Sequence, residues 1–87
     1  MTTEDLTATE AEIARWWTEI LGVPVERGDD DFFELGGDSL GLVRFLRTLW
    51  DSRQVDLDLT ELFATDVTVT ETARVVERAL AELAALP

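Results

Sequence analysis

Residues 36–40 read Gly-Gly-Asp-Ser-Leu. A serine directly behind a glycine turn is an arrangement by which serine esterases expose an attacking hydroxyl. That chemistry needs a partner, because a hydroxyl is a weak nucleophile at neutral pH and must be activated by an adjacent base. The 87-residue chain has no histidine and no cysteine, and its seven basic residues are all arginines. Imidazole base, thiol nucleophile and Schiff-base lysine are therefore all excluded. Asp38 is no substitute, since a carboxylate with an ordinary pKa of about 4 is too weak a base for the task. Ser39 thus reads as a residue that is acted upon, or as a structural one.

A second stretch, Asp56-Leu57-Asp58-Leu59-Thr60, has the D-x-D-x-T spelling of aspartate-nucleophile phosphatases. That chemistry places the first aspartate at the end of a buried parallel strand in a much larger α/β domain, which this length and pattern do not provide. As a calcium loop counted from Asp56 it also fails. Glu61 stands where the loop needs glycine and Val67 where it needs glutamate. It is read as a loop leading into a short helix.

Two readings of Ser39 remain from the five letters. Serine is among the best N-cap residues, and glycines before a cap are ordinary loop chemistry. Alternatively the serine is an exposed acceptor. The residues after it favour the second reading. At about 100° per residue, Leu42, Phe45, Leu46 and Leu49 form one apolar stripe, the core face. Leu40, Val43, Arg44 and Arg47 fall roughly opposite. Two exposed apolar side chains beside an exposed serine suggest a docking face, with anchors at helical spacing. The backbone N–H groups and dipole of a helix start also favour a negative group there. Gly36 and Gly37 are read as leaving clearance for an approaching enzyme.

The elements that must position this site are helical. Thr7–Gly22 shows Ile13, Trp16, Trp17, Ile20 and Leu21 at helical spacing. Thr7 with Glu10, or Thr9 with Glu12, has the spacing of a capping box, and Gly22 suits the C-terminal end. The two tryptophans are assigned to the core. Residues 23–38 form a connection long enough to be functional, with Phe32, Phe33 and Leu35 expected to pin it onto the core. The run Asp29-Asp30-Asp31 is read as a solvated turn. A second helix starts at Ser39, and a short one is expected around Thr60–Ala64. A third long helix follows Thr68, whose spacing to Glu71 again suits a cap. Its expected buried stripe is Val69, Ala73, Val76, Leu80 and Leu83. No alternation is long enough for a sheet. The expectation is all-α: a four-helix bundle of three long helices and one short helix, with a long loop between the first two. Residues 1–6 are read as a flexible acidic N-terminus and 7–87 as a single domain.

Composition narrows the partners. Hydrophobic residues make up 46% of the chain, too many for disorder. The formal net charge is −12, which repels phosphate backbones and anionic lipid surfaces. Nucleic acid and membrane are therefore not expected partners, and proteins with basic patches are. With no signal segment and no apolar run approaching the roughly 20 residues of a membrane span, the expected location is cytoplasmic, as a monomer.

The stretch "DDDFFELGGDSLGLVRFLRTL" resembles the core motif of peptidyl carrier proteins, the thiolation domains of nonribosomal peptide synthetases. Phe32, Phe33, Leu35, Gly36, Gly37, Asp38, Ser39 and Leu40 fill that motif. "ARWWTEILGV" is similar to the family's first helix, and "LTELFATDVTVTETA" to its short helix and the start of its last. The resemblance implies a bundle of the acyl carrier protein-like type. It implies that Ser39 accepts 4′-phosphopantetheine from coenzyme A through a magnesium-bearing phosphopantetheinyl transferase, with Gly37 and Asp38 flanking the attachment point. The arm's thiol would carry aminoacyl or peptidyl thioesters among an adenylation enzyme, condensation or tailoring enzymes and a thioesterase. Leu40, Val43, Arg44 and Arg47 would meet those partners, and the chain itself would catalyse nothing. With no cysteine or lysine, the chain offers no thiol or ε-amine to take the acyl group. Leu42, Val67 and Thr72 depart from the usual alanine, proline and leucine. The Gly36-Gly37 pair and Arg44 look peptidyl, whereas the strong negative charge looks like a discrete acyl carrier. A free-standing peptidyl carrier is the reading adopted; the alternative is an acyl carrier protein for a polyketide or other acyl or aryl pathway.

Overall fold

The computed structural model describes residues 6–86; residues 1–5 and 87, with most of the expected N-terminal lead, lie outside the described residues. Four helices follow in order: α1, Ala8–Leu21; α2, Ser39–Arg53; α3, Leu59–Phe63; and α4, Val69–Ala84. Among the described residues the only extended pairing is a single antiparallel bridge between Asp31 and Thr68. The all-α four-helix bundle expected from the sequence is what forms.

Local chemistry sets each helix start. Of the two candidate capping boxes on α1, Thr7 with Glu10 is the one made. Glu10 N–H donates to Thr7 Oγ1 (3.1 Å) and Thr7 N–H to Glu10 Oε1 (2.8 Å). Gly22 ends α1 in the left-handed conformation, φ 74°, with its N–H on the Thr18 carbonyl. Asp58 N–H donates to Glu61 Oε2 at the start of α3 (3.0 Å), and Thr68 Oγ1 accepts from Glu71 N–H at the start of α4 (3.2 Å).

α1 packs against both α2 and α4, and α3 bridges α2 and α4. The centre is aromatic. Trp17 is fully buried and meets Phe32 and Phe45 edge-on, at centroid distances of 5.0 and 5.7 Å, a geometry that suits the ring quadrupoles. Leu42 and Leu49 of α2, Leu62 of α3, and Val69, Ala73 and Val76 of α4 close around it. Leu6 is half-buried against this core. Two polar ties fix α1: Arg53 at the end of α2 binds Glu12 (2.8 Å), and Thr70 Oγ1 donates to Glu10 Oε2 (2.7 Å). Since Glu12 is near the start of α1 and Arg53 at the end of α2, the two helices run antiparallel. The start of α2 therefore lies beside the end of α1.

Two expectations about burial need correction. Phe33 does not pin the loop inward. It is exposed and stacks on exposed Phe63, with centroids 6.0 Å apart and planes 16° apart. Adjacent residues in an extended or turning chain point in different directions, and Phe32 takes the inward one. Leu83 is also exposed rather than buried, as are all residues from Ala81 to Leu86 at the end of α4.

The candidate attachment site at the start of helix α2

The long loop is sewn to the start of α4. Phe32 N–H donates to the Val67 carbonyl (2.9 Å), Val69 N–H to Asp30 (3.1 Å) and Thr70 N–H to Gly28 (2.9 Å). The aspartate run is more than a solvated turn. Asp30 Oδ2 accepts from the N–H groups of Glu26 and Arg27, and Asp31 Oδ1 from those of Phe33 and Glu34. Each carboxylate takes the place of a backbone acceptor and bends the chain. The loop thereby delivers Phe32 into the core at a fixed position.

Phe32 in turn sets the first turn of α2. A methyl group on Gly37 would overlap the Phe32 ring and come within 2.7 Å of the Phe32 carbonyl oxygen. One on Gly41 would meet the ring at 3.0 Å. Both glycines let the backbone lie directly on the aromatic ring. Gly36 is required for another reason, its φ of 103°. The reading of the glycine pair as clearance for an approaching enzyme is thus replaced, at Gly37, by an internal packing requirement.

Asp38, not Ser39, caps the helix. Its backbone is extended, and its Oδ1 accepts from Gly41 N–H at 2.9 Å. Ser39 is the first helical residue, is exposed, and its hydroxyl has no hydrogen-bond partner among the described residues. The N–H groups of Ser39 and Leu40 also lack an acceptor among the described residues. A free hydroxyl next to free N–H donors at a helix start fits a covalently attached phosphodiester well.

The structure brings Gly37, Asp38, Leu40 and Arg44 together along one groove of about 260 Å³, with Gly36 and Gly41 and, from α1, Ile20 and Leu21. Leu40 is 65% and Val43 48% exposed, as the helical wheel requires. Val43 does not line this groove, and Arg47 is engaged with Asp51 (3.4 Å). Sequence reasoning assigned Ile20 and Leu21 wholly to the core. Their role at the site depends on a contact across more than a dozen residues, which no local pattern carries. The exposed Phe33–Phe63 pair was missed for the same reason. The three departures at Leu42, Val67 and Thr72 are all buried, whereas Ser39 is exposed.

Comparison with known proteins agrees with this geometry. The family described as "Phosphopantetheine attachment site" matches residues 11–76. Tyrocidine synthase 3 of Brevibacillus parabrevis is 42% identical over 57 residues, 66% of this chain and 1% of that protein. Nonribosomal peptide synthetase dtxS1 of Metarhizium robertsii is 39% identical over 59 residues, again 66% of this chain and 1% of the relative. This chain thus spans a very small part of the relatives it matches. A peptidyl carrier protein is also seen in a complex with the phosphopantetheine transferase Sfp and coenzyme A. That structure matches with a TM-score of 0.78 and 30% identity, over 88% of this chain and 99% of the other. The solution structure of an active site mutant peptidyl carrier protein matches equally well, with a TM-score of 0.78 over 91% of this chain and 88% of that one. In sequence and in fold, the chain belongs to the phosphopantetheine-attachment family, among the carrier domains of the peptidyl type.

Proposed function

We propose that Ser39 is the residue that receives 4′-phosphopantetheine. The observation that carries this is the free, exposed Ser39 hydroxyl at the first position of α2, released from capping duty by Asp38. In the transfer, the serine Oγ–phosphorus bond forms as the pyrophosphate bond of coenzyme A breaks. The nucleotide leaves with the bonding pair, and the serine proton passes to the transferase. Ser39 is presented for this step by Gly37 and Gly41 lying on Phe32. The arm, once attached, supplies the thiol that the chain itself lacks.

On this reading the chain carries aminoacyl or peptidyl thioesters and catalyses nothing by itself. A phosphopantetheinyl transferase, an adenylation enzyme, condensation or tailoring enzymes and a thioesterase are its partners in the cytoplasm. The exposed Leu40 and Val43, with Arg44 and Arg47 beside them, form the face they meet. The exposed Phe33–Phe63 stack supports an apolar docking surface near α3. The negative charge supports partners with basic rims.

The test is intact mass after incubation with coenzyme A, magnesium and a promiscuous transferase. One phosphopantetheine adduct is expected on the native chain and none on Ser39→Ala. An adduct that persists in Ser39→Ala would refute the assignment.

A further inference from the structure

We propose that the groove between the end of α1 and the start of α2 is a resting seat for the phosphopantetheine strand, with Arg44 as its anchoring cation. The proposal rests on Ser39 being the attachment point, and it goes further in stating where the attached strand lies between visits to partners.

Four observations converge on this groove. It has a volume of about 260 Å³, and Gly37, Asp38 and Leu40, the neighbours of Ser39, line it. A group attached to Ser39 therefore begins at its edge. Ile20 and Leu21 supply an apolar wall from α1, suited to the methyl-bearing part of a pantetheine chain. Next, the carbonyl oxygens of Gly36 and Gly37 accept no hydrogen bond among the described residues, so acceptors stand ready for the amide N–H groups of such a chain. The last is charge. Of the three arginines on α2, Arg47 is paired with Asp51 and Arg53 with Glu12, while the Arg44 guanidinium has no partner among the described residues. Helical side chains lean toward the N-terminus, which carries this free cation toward the turn where the phosphodiester would sit. In a chain of net charge −12, an unpaired guanidinium at the attachment site is the natural partner for one further negative group.

Val43 and the Phe33–Phe63 stack are also exposed and apolar, but they do not line the groove that holds Arg44. A strand seated on the α1 side also leaves that apolar face open for a partner.

The chain is converted to the phosphopantetheinylated form, checked by mass, and amide chemical shifts are compared before and after. The expected changes, beyond those at Ser39 itself, fall on Ile20, Leu21, Gly36 and Gly37. In Arg44→Gln they should drop by about half or more, in keeping with the modest worth of an exposed ion pair, while Arg44→Lys keeps most of them. Raising the salt to about 1 M, where the screening length is about 3 Å, should reduce them in the native chain. Because the chain has no cysteine, a thiol-reactive nitroxide labels the arm alone. Its broadening should be stronger at Ile20 and Leu21 than at Phe63. Stronger effects at Val43 and Phe63, or changes that Arg44→Gln and salt leave untouched, overturn the seat while leaving the carrier reading intact. Absence of any adduct overturns both. Should Arg44→Gln fail to fold, the salt series and the nitroxide map on the native chain decide the matter.

Discussion

Gly37 lies flat against the ring of Phe32: a methyl group there would overlap the ring edge, and the Gly37 N–H donates to the Phe32 carbonyl at 2.9 Å. Five residues apart in sequence, the two residues form one unit. The ring fills the core beside Trp17, and the glycine lets α2 begin directly above it. The position of Ser39 is thus fixed by an aromatic side chain that never touches solvent.

Gly37→Ala is therefore expected to destabilise the fold by roughly 1–3 kcal/mol, the range for forcing an extra methyl into a packed site. It should also slow modification of Ser39, because relief of the overlap moves the helix start. Phe32→Leu opens space for that methyl, so the double variant should be less destabilised than the sum of the singles. Urea denaturation of the four proteins measures this. Strict additivity would show that the contact does not govern the position.

Asp38 and Ser39 should separate cleanly in stability. Asp38→Ala removes the acceptor for Gly41 N–H and should cost about 1 kcal/mol. Ser39→Ala removes a hydroxyl that has no hydrogen-bond partner among the described residues and should stay within about 0.5 kcal/mol of the native protein. A Ser39→Ala loss as large as that of Asp38→Ala would mean that the serine shares the cap.

The exposed and buried faces of α2 give opposite phenotypes. Leu40→Asp and Val43→Asp should leave unfolding within about 0.5 kcal/mol of native while impairing loading by partner enzymes. Leu42→Ala, on the fully buried side, should cost about 2–5 kcal/mol.

Thr72 is buried on α4 with no partner for its Oγ1 among the described residues. An orphaned buried hydroxyl carries a desolvation cost, so Thr72→Val, which keeps the shape, should stabilise the protein by about 1 kcal/mol. Thermal unfolding of the two proteins is the comparison. A lower melting temperature for the variant would contradict the account.

Glu10 links stability to pH. The Thr7 backbone N–H, and then the Thr70 hydroxyl, hold its carboxyl below the ordinary value of 4.5, with burial opposing and Thr7 Oγ1 and Arg74 adding to the effect. A carboxyl whose folded pKa lies below its unfolded one stabilises the fold fully above the unfolded value, and that contribution is lost as pH falls through the folded one. Native protein and Glu10→Gln should therefore differ most at neutral pH and converge as the solution is acidified below about pH 4.5. A gap that stays constant down to strong acid would exclude this linkage.

The sequence by itself determined whatever depends on neighbours a turn apart. Capping-box spacing at Thr7–Glu10 or Thr9–Glu12 placed the start of α1 to within two residues, Gly22 ended it, and the stripe of Leu42, Phe45 and Leu49 assigned the core face of α2 and left Leu40 and Val43 outside. Such signals are legible because a helix repeats its environment every three or four residues. The absence of histidine, cysteine and lysine likewise led to the expectation that Ser39 is acted upon, without any coordinates. Which residue capped α2 was not legible, since Asp38 and Ser39 both suit the position and only the backbone angles choose between them. Nor was the fate of the two phenylalanines: identical side chains side by side, one central to the core and one on the surface. Tertiary structure alone decided that Gly37 serves Phe32, that Ile20 and Leu21 line one groove with Arg44, and that Glu10 meets Thr70. Those relationships arise from how whole helices pack, and packing is set by the sum of many contacts distant in sequence rather than by any local spacing.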